Sequence, residues 1–241
     1  MPLMPAAPRR PKARLIRVAG AALLVIIVVV AARQLLLSSH EDGSVAASAS
    51  ASPSVCANEP PKFIRSKFLR SEPYAMSIDP SRKSEVRLAT SCGTMLIKLF
   101  PKQSPIAVNN FANLAKDAWY TGTYFFRIVK DLDIIQAGDP SGTGTRGPGY
   151  TIPDDAPNGL HYEIGSVVMW RGDTPDSAGA QFLIITGPEG LADLPPGLTV
   201  FGKLADTASL QVAQKIQSVP VEGDAPLEKV WLLGVHVEEN P

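Results

Sequence analysis

From residue 84 to residue 237 the apolar side chains fall into short runs, most with the two-residue period of strands, broken by glycine and proline. Val86 and Leu88 alternate with polar neighbours, as do Met95, Ile97 and Leu99, and Cys92-Gly93 sits between them as a hairpin-type turn. Further strands are predicted at 124–129, 133–137, 165–170, 181–186, 200–204 and 230–237. Only two stretches carry helical spacing. In the first, Ser104-Pro105 supplies an N-cap and a proline at the first helical position. Val108, Phe111, Leu114, Ala115 and Ala118 then share one face, and Tyr120-Thr121-Gly122 closes the helix. The second covers 207–218, with Leu210, Ala213 and Ile216 on one face. Many short strands with two well-separated helices and glycine-rich turns predict a mainly β fold, a closed antiparallel barrel capped by helices.

The N-terminal third reads differently. Residues 18–32 are an unbroken run of Val, Ile, Leu, Ala and Gly, and continuing to Leu37 gives about the 20 residues that a membrane-crossing helix needs. Arg9, Arg10, Lys12, Arg14 and Arg17 precede the run, whereas His40, Glu41 and Asp42 follow it. The positive-inside rule places the N-terminus in the cytoplasm and everything after it outside. The chain therefore divides into a basic segment (1–17), a single-pass anchor (18–37), a Ser/Ala/Pro-rich linker and extension (38–82) and a globular domain (83–239). A cleaved signal peptide is the alternative, with Ala47-Ser48-Ala49 as the small-residue site, and it would make the product secreted.

Composition removes several classes. Acidic and basic residues balance at 23 each, and no basic run interleaved with aromatics occurs beyond the first segment, so a nucleic-acid partner is not expected. The two cysteines, Cys56 and Cys92, and three scattered histidines do not make a zinc site. Outside the membrane the cysteines are free to pair, which would staple the leader to the domain; two unrelated thiols are the other reading. Residues 142–149 are glycine-rich but lack the Gly-Lys-Ser/Thr of a phosphate loop, and there is no Gly-x-Ser-x-Gly elbow. His40, His161 and His236 lie too far apart to suggest a serine-hydrolase triad. The acid pairs Asp154-Asp155 and Asp173/Asp176 stand in turn-rich contexts and read as caps and loop ends.

Five pieces in order carry a resemblance: Phe125-Phe126-Arg127 in an apolar run, Ile135-Gln136-Ala137-Gly138-Asp139, the loop Gly142-Thr143-Gly144, Met169-Trp170-Arg171, and Ala178-Gly179-Ala180-Gln181-Phe182-Leu183-Ile184. Together they resemble the core of a cyclophilin-type peptidyl-prolyl cis-trans isomerase of bacterial form, over about two-thirds of the chain. The resemblance implies an eight-stranded antiparallel barrel with two capping helices. It also implies prolyl isomerisation of proline-containing polypeptides, with no cofactor and no metal, by a protein expected to act as a monomer. Arg127 matches the catalytic arginine and Gln136 the glutamine that holds it. Ile134, Trp170, Arg171, Gln181, Phe182, Leu183 and Leu194 match substrate-binding positions.

Several positions depart from the family pattern. Phe126 replaces the histidine before the arginine, and the connection from Val129 to Gln136 is one residue longer than usual. Leu183 replaces a pocket phenylalanine, Trp170 replaces a small residue, and 191–198 lacks the tryptophan and histidine of eukaryotic members. These changes imply weak binding of the family's inhibitor cyclosporin. They also leave open a second class of function, a module of little or no activity that binds proline-containing segments of a partner.

Overall fold

The computed structural model describes residues 54–57, 60–61 and 68–240. The apolar block at 18–37 and most of the linker lie outside these residues, and among the described residues no helix is long and apolar enough to cross a membrane. The elements run in the order β1 (Lys83–Thr90), β2 (Gly93–Leu99), α1 (Pro105–Lys116), β3 (Tyr124–Phe125), β4 (Arg127–Val129), β5 (Ile134–Ala137), β6 (Ser166–Met169), β7 (Phe182–Ile185), β8 (Val200–Leu204), α2 (Thr207–Ser218), β9 (Val221–Glu222), β10 (Ala225–Pro226) and β11 (Val230–Asn240).

Nine strands form one antiparallel sheet in the order β3-β11-β1-β2-β8-β6-β7-β5-β4. The expected count was eight, and the difference has a single origin. The predicted strand at 124–129 is broken at Phe126 into two strands that pair in different directions. Before the break Tyr124 and Phe125 pair with Trp231 and Val230 of β11; after it Arg127, Ile128 and Val129 pair with Gln136, Ile135 and Ile134 of β5. The two ends of the sheet are thus consecutive in the chain, and the sheet curls into a nearly closed barrel. The small β9–β10 ribbon, with Glu222 opposite Ala225, was not anticipated from sequence.

Period-two alternation sorts side chains between the two faces of the sheet. Val86, Leu88, Met95, Ile97, Ile128, Ile135, Val167, Phe182, Ile184 and Phe201 turn into the main core. There Phe111 of α1 closes an aromatic cluster, with ring centroids 4.8 Å from Tyr120, 5.6 Å from Phe182 and 5.2 Å from Phe201. The intervening residues build a second, smaller cluster on the opposite face from Val129, Ile134, Val168, Leu183, Ile185 and Val200, closed over by Leu194 and Leu198.

Both ends of α1 depart from the sequence expectation. Ser104 occupies the N-cap position, but its hydroxyl donates to the Val200 carbonyl at 2.6 Å. The exposed N–H groups of Ile106 and Ala107 are taken instead by the Asp155 carboxylate, at 3.2 and 2.8 Å. A negative group there also complements the helix dipole. Burial nevertheless pushes the Asp155 carboxyl up from its ordinary value, against the two N–H bonds that pull it down. At the other end the helix stops at Lys116. Ala118 adopts φ 55°, its N–H reaches Ala115 O at 2.9 Å, and Trp119 N–H reaches Leu114 O at 2.9 Å. This double closure is the Schellman arrangement, which usually places glycine where Ala118 stands.

Ahead of the barrel, a disulfide joins Cys56 to Cys92 in the β1–β2 turn, with Cα atoms 4.7 Å apart. Ser54 Oγ and Val55 N–H donate to Glu228 Oε2 at 2.6 and 3.1 Å, and Ala57 N–H to Ser91 O at 3.2 Å. Further along, Arg70 N–H donates to Pro148 O at 2.8 Å, Ser77 N–H to Asn109 Oδ1 at 2.9 Å, and Ile78 is buried.

A left-handed conformation costs a non-glycine residue on the order of 1 kcal/mol. Ala118→Gly is therefore expected to stabilise the domain by roughly 0.5–1 kcal/mol, although glycine normally weakens helices. Chemical denaturation of the two proteins measures it; a destabilised variant would refute the strain.

Candidate active site

The break at Phe126 resets the alternation and turns Arg127 toward the face opposite the main core, at the start of β4. The register sets it directly across from Gln136, and Gln136 across from Leu183. Gln136 is only 3 % exposed, so both ends of its amide need partners. Its Oε1 accepts from Arg127 Nη1 at 3.4 Å, and its Nε2 donates to Gln181 Oε1 at 2.9 Å. Gln181 Nε2 in turn donates to the Gly144 carbonyl at 2.9 Å. A continuous polar row thus runs from the guanidinium across two strands into the glycine-rich loop.

That loop is shaped by Asp139, which is fully buried. Its carboxylate accepts from Ser141 N–H at 2.7 Å, Ser141 Oγ at 2.6 Å and Arg146 N–H at 3.1 Å. Burial alone would push the carboxyl up, but these bonds together hold it below the ordinary carboxylate value. Gly142 lies within this loop at φ 70°, against the Tyr124 ring, where a Cβ would run into the tyrosine hydroxyl. Glycine is needed there both for the backbone conformation and for the close approach.

Phe126, Arg127, Gln136, Gly142–Gly144, Trp170, Asp224 and Ala225 line an open groove of about 370 Å³. Asp224, in the β9–β10 turn, and Ala225, the first residue of β10, were missed from sequence. Asp224 Oδ2 lies 3.0 Å from both Nε and Nη2 of Arg127, and the two side chains are 45 % and 38 % exposed. Among the described residues these are the charged groups of the groove lining. The one cue in sequence was Gly223-Asp224, a turn dipeptide between short apolar segments.

The remaining positions separate into three groups. Ile134, Leu183 and Leu194 do come together, but inside the second cluster, at 3 %, 1 % and 8 % exposure, and they do not open into the groove. Trp170 packs against that cluster and also lines the groove, so its indole presents the apolar surface beside Arg127. Phe182 and Arg171 are corrections. Phe182 is one residue out of phase with Leu183, faces the main core and stacks edge-on to Phe111 and Tyr120. Arg171 pairs with Asp154 at 2.8 Å and donates to Gly172 O at 3.0 Å, a clamp between loops and not a groove residue. Asp154 and Asp176 cap each other's backbone N–H at 2.8 and 3.2 Å, as caps rather than acids. The longer connection after Val129 is taken up by a 3-10 turn over Lys130–Leu132, ending at Asp133 with φ 49°.

Residues 85–237 match the family model described as cyclophilin type peptidyl-prolyl cis-trans isomerase/CLD. The chain belongs to the cyclophilin-type peptidyl-prolyl cis-trans isomerases. It is 32 % identical over 160 residues to peptidyl-prolyl cis-trans isomerase-like 3 of Dictyostelium discoideum, covering 65 % of this chain and 96 % of that one. It is likewise 32 % identical over 168 residues to peptidyl-prolyl cis-trans isomerase B of Streptomyces anulatus, covering 63 % and 94 %. The crystal structure of a Cryptosporidium parvum cyclophilin-type isomerase superposes with a TM-score of 0.59 at 29 % identity, over 66 % of this chain and 99 % of that one. The enzyme's reaction is rotation about X–Pro bonds, and the groove beside Arg127 is where this cyclophilin offers a cationic donor next to an aromatic surface.

The depressed Asp139 carboxyl gives the groove a pH dependence with a definite sign. A carboxyl lowered by folding contributes stability above its unfolded value, and that contribution is lost as pH falls through the folded value. Acidification below the ordinary carboxylate range should loosen 139–146 before the barrel unfolds, seen as faster amide exchange at Ser141 and Arg146. In Asp139→Asn the acid-induced change should be absent; an unchanged profile would show that the carboxylate does not govern the loop.

Proposed function

We propose that this chain isomerises X–Pro bonds of exported polypeptides, assisting their folding outside the cytoplasmic membrane while held there by its N-terminal helix and acting as a monomer. The chemical part rests on Arg127. Amide resonance sets a barrier of roughly 18–20 kcal/mol to rotation about the X–Pro bond. In the twisted state the proline nitrogen becomes pyramidal and basic, and a fixed donor stabilises that state more than the planar one. Among the described residues Gln136 takes one of the guanidinium's five N–H donors and Asp224 faces two, which leaves two for the substrate. Gln136 orients the guanidinium, and Trp170 with Phe126 offers the ring of the proline an apolar wall. No step needs a metal, a cofactor or a covalent intermediate.

The address rests on separate observations. Five basic residues precede the apolar block and acids follow it, which favours an extracytoplasmic domain. The Cys56–Cys92 disulfide is of a kind that persists in oxidising compartments and is rare in the cytosol. A second reading, a proline-segment binding module with little turnover, is favoured by the near-complete burial of Ile134, Leu183 and Leu194.

A prolyl isomerase assay on the full chain in mild detergent, set beside Arg127→Ala, tests the chemistry. Losing the donor should lower kcat/KM about 100- to 1000-fold with the fold intact. Peptide binding without turnover in the unmutated protein would instead establish the binding module. Protease added to intact cells should remove the domain while leaving cytoplasmic proteins untouched. A protected domain would overturn the extracytoplasmic placement.

A further inference from the structure

Arg127 is a poor candidate for a rigid donor if judged by packing alone. Its side chain is 38 % exposed, and a free arginine carries about 2 kcal/mol of rotamer entropy. Gln136 holds it through one contact at 3.4 Å, near the outer limit for a hydrogen bond. Gln136 alone therefore does not fix the guanidinium, and a second hold comes from the other side of the groove.

That side is the β9–β10 turn. Gly223, at φ 59°, lets the chain reverse between Glu222 and Ala225, and Leu227 N–H closes the base of the ribbon on Pro220 O at 2.9 Å. The Asp224 carbonyl accepts the N–H of Ile128 at 2.8 Å, which is the edge N–H of β4 one residue beyond Arg127. Main-chain bonding thus sews the turn to β4, and the Asp224 carboxylate is fixed where Oδ2 meets Nε and Nη2, each at 3.0 Å. Gln136 grips Nη1. The two partners take different edges of the planar guanidinium, so its plane and its free donors acquire one orientation.

We propose that Asp224 is a positioning residue for the isomerase reaction, one that fixes the Arg127 guanidinium so that its free N–H groups face the bound X–Pro amide. The assignment rests on the reading of Arg127 as the donor. Its role is separable from folding, because a half-exposed ion pair contributes little to stability. Misaiming the donor removes an interaction made chiefly in the transition state, so the loss belongs in kcat rather than in KM.

The test compares the full chain with Asp224→Ala and Asp224→Asn in two measurements. In the isomerase assay Asp224→Ala should lower kcat about tenfold to a hundredfold with KM nearly unchanged, the range expected for a misplaced group. Asp224→Asn, which keeps an acceptor oxygen, should recover part of that loss. In nitrogen-15 NMR the Arg127 Nε–Hε signal should exchange slowly with water in the unmutated protein and quickly in Asp224→Ala. An active protein whose Asp224→Ala variant keeps its kcat, or changes only in KM, overturns the assignment while leaving Arg127 as the donor. An inactive unmutated protein overturns the reading of Arg127 itself. If Asp224→Ala fails to fold, Asp224→Asn decides on the same readouts.

Discussion

The interruption of one β-run at Phe126 is the constraint on which the rest of the structure depends. Residues 124–129 are apolar enough for a single strand, yet one continuous strand could not pair with β11 and β5 in the positions they hold. By breaking after two residues, the chain hands Tyr124 and Phe125 to one end of the sheet and Arg127 to Val129 to the other. Closure removes the long open edges that would otherwise invite pairing with other chains. It also resets the alternation, so that Phe125 faces the core and Arg127 faces the groove.

Once Arg127 is placed, the site follows from hydrogen-bond satisfaction. A buried amide such as Gln136 cannot be left with unmet donors and acceptors, since each would cost on the order of 1–3 kcal/mol. Its two ends therefore commit to Arg127 and Gln181, and Gln181 commits to Gly144. The glycine-rich loop is fixed from its other side by Asp139. The result is a preorganised polar row on a rigid barrel face, with the second apolar cluster beside it on the same face.

Of the positions that the resemblance matched to substrate binding, Trp170 lines the groove whereas Ile134, Leu183 and Leu194 are buried. The leucines and isoleucine pack into the second cluster on the groove's own face of the sheet, and the indole lines the groove. The N-terminal staple is independent of this chemistry: it ties residues 54–57 to the β1–β2 turn and to Glu228, on the path to β11.

Much was legible in the sequence because it depends on local physics. Period-two runs fixed the strands and their inward residues, and the spacing of Leu210, Ala213 and Ile216 marked α2, which spans Thr207–Ser218 as expected. Arg127 and Gln136 were readable as a pair, though not their register. What failed was whatever turned on neighbours distant in sequence. Ser104 looked like a cap, but its hydroxyl went to Val200 and the capping carboxylate arrived from Asp155. Phe182 looked like a pocket residue, but strand phase placed it in the core. Asp224 had no motif, because only the docking of a ribbon of two two-residue strands on the edge of β4 brings it to Arg127. Local pattern determines which elements form and which side chains they bury. The order in which strands pair, and so which charge meets which, is decided only when the barrel closes.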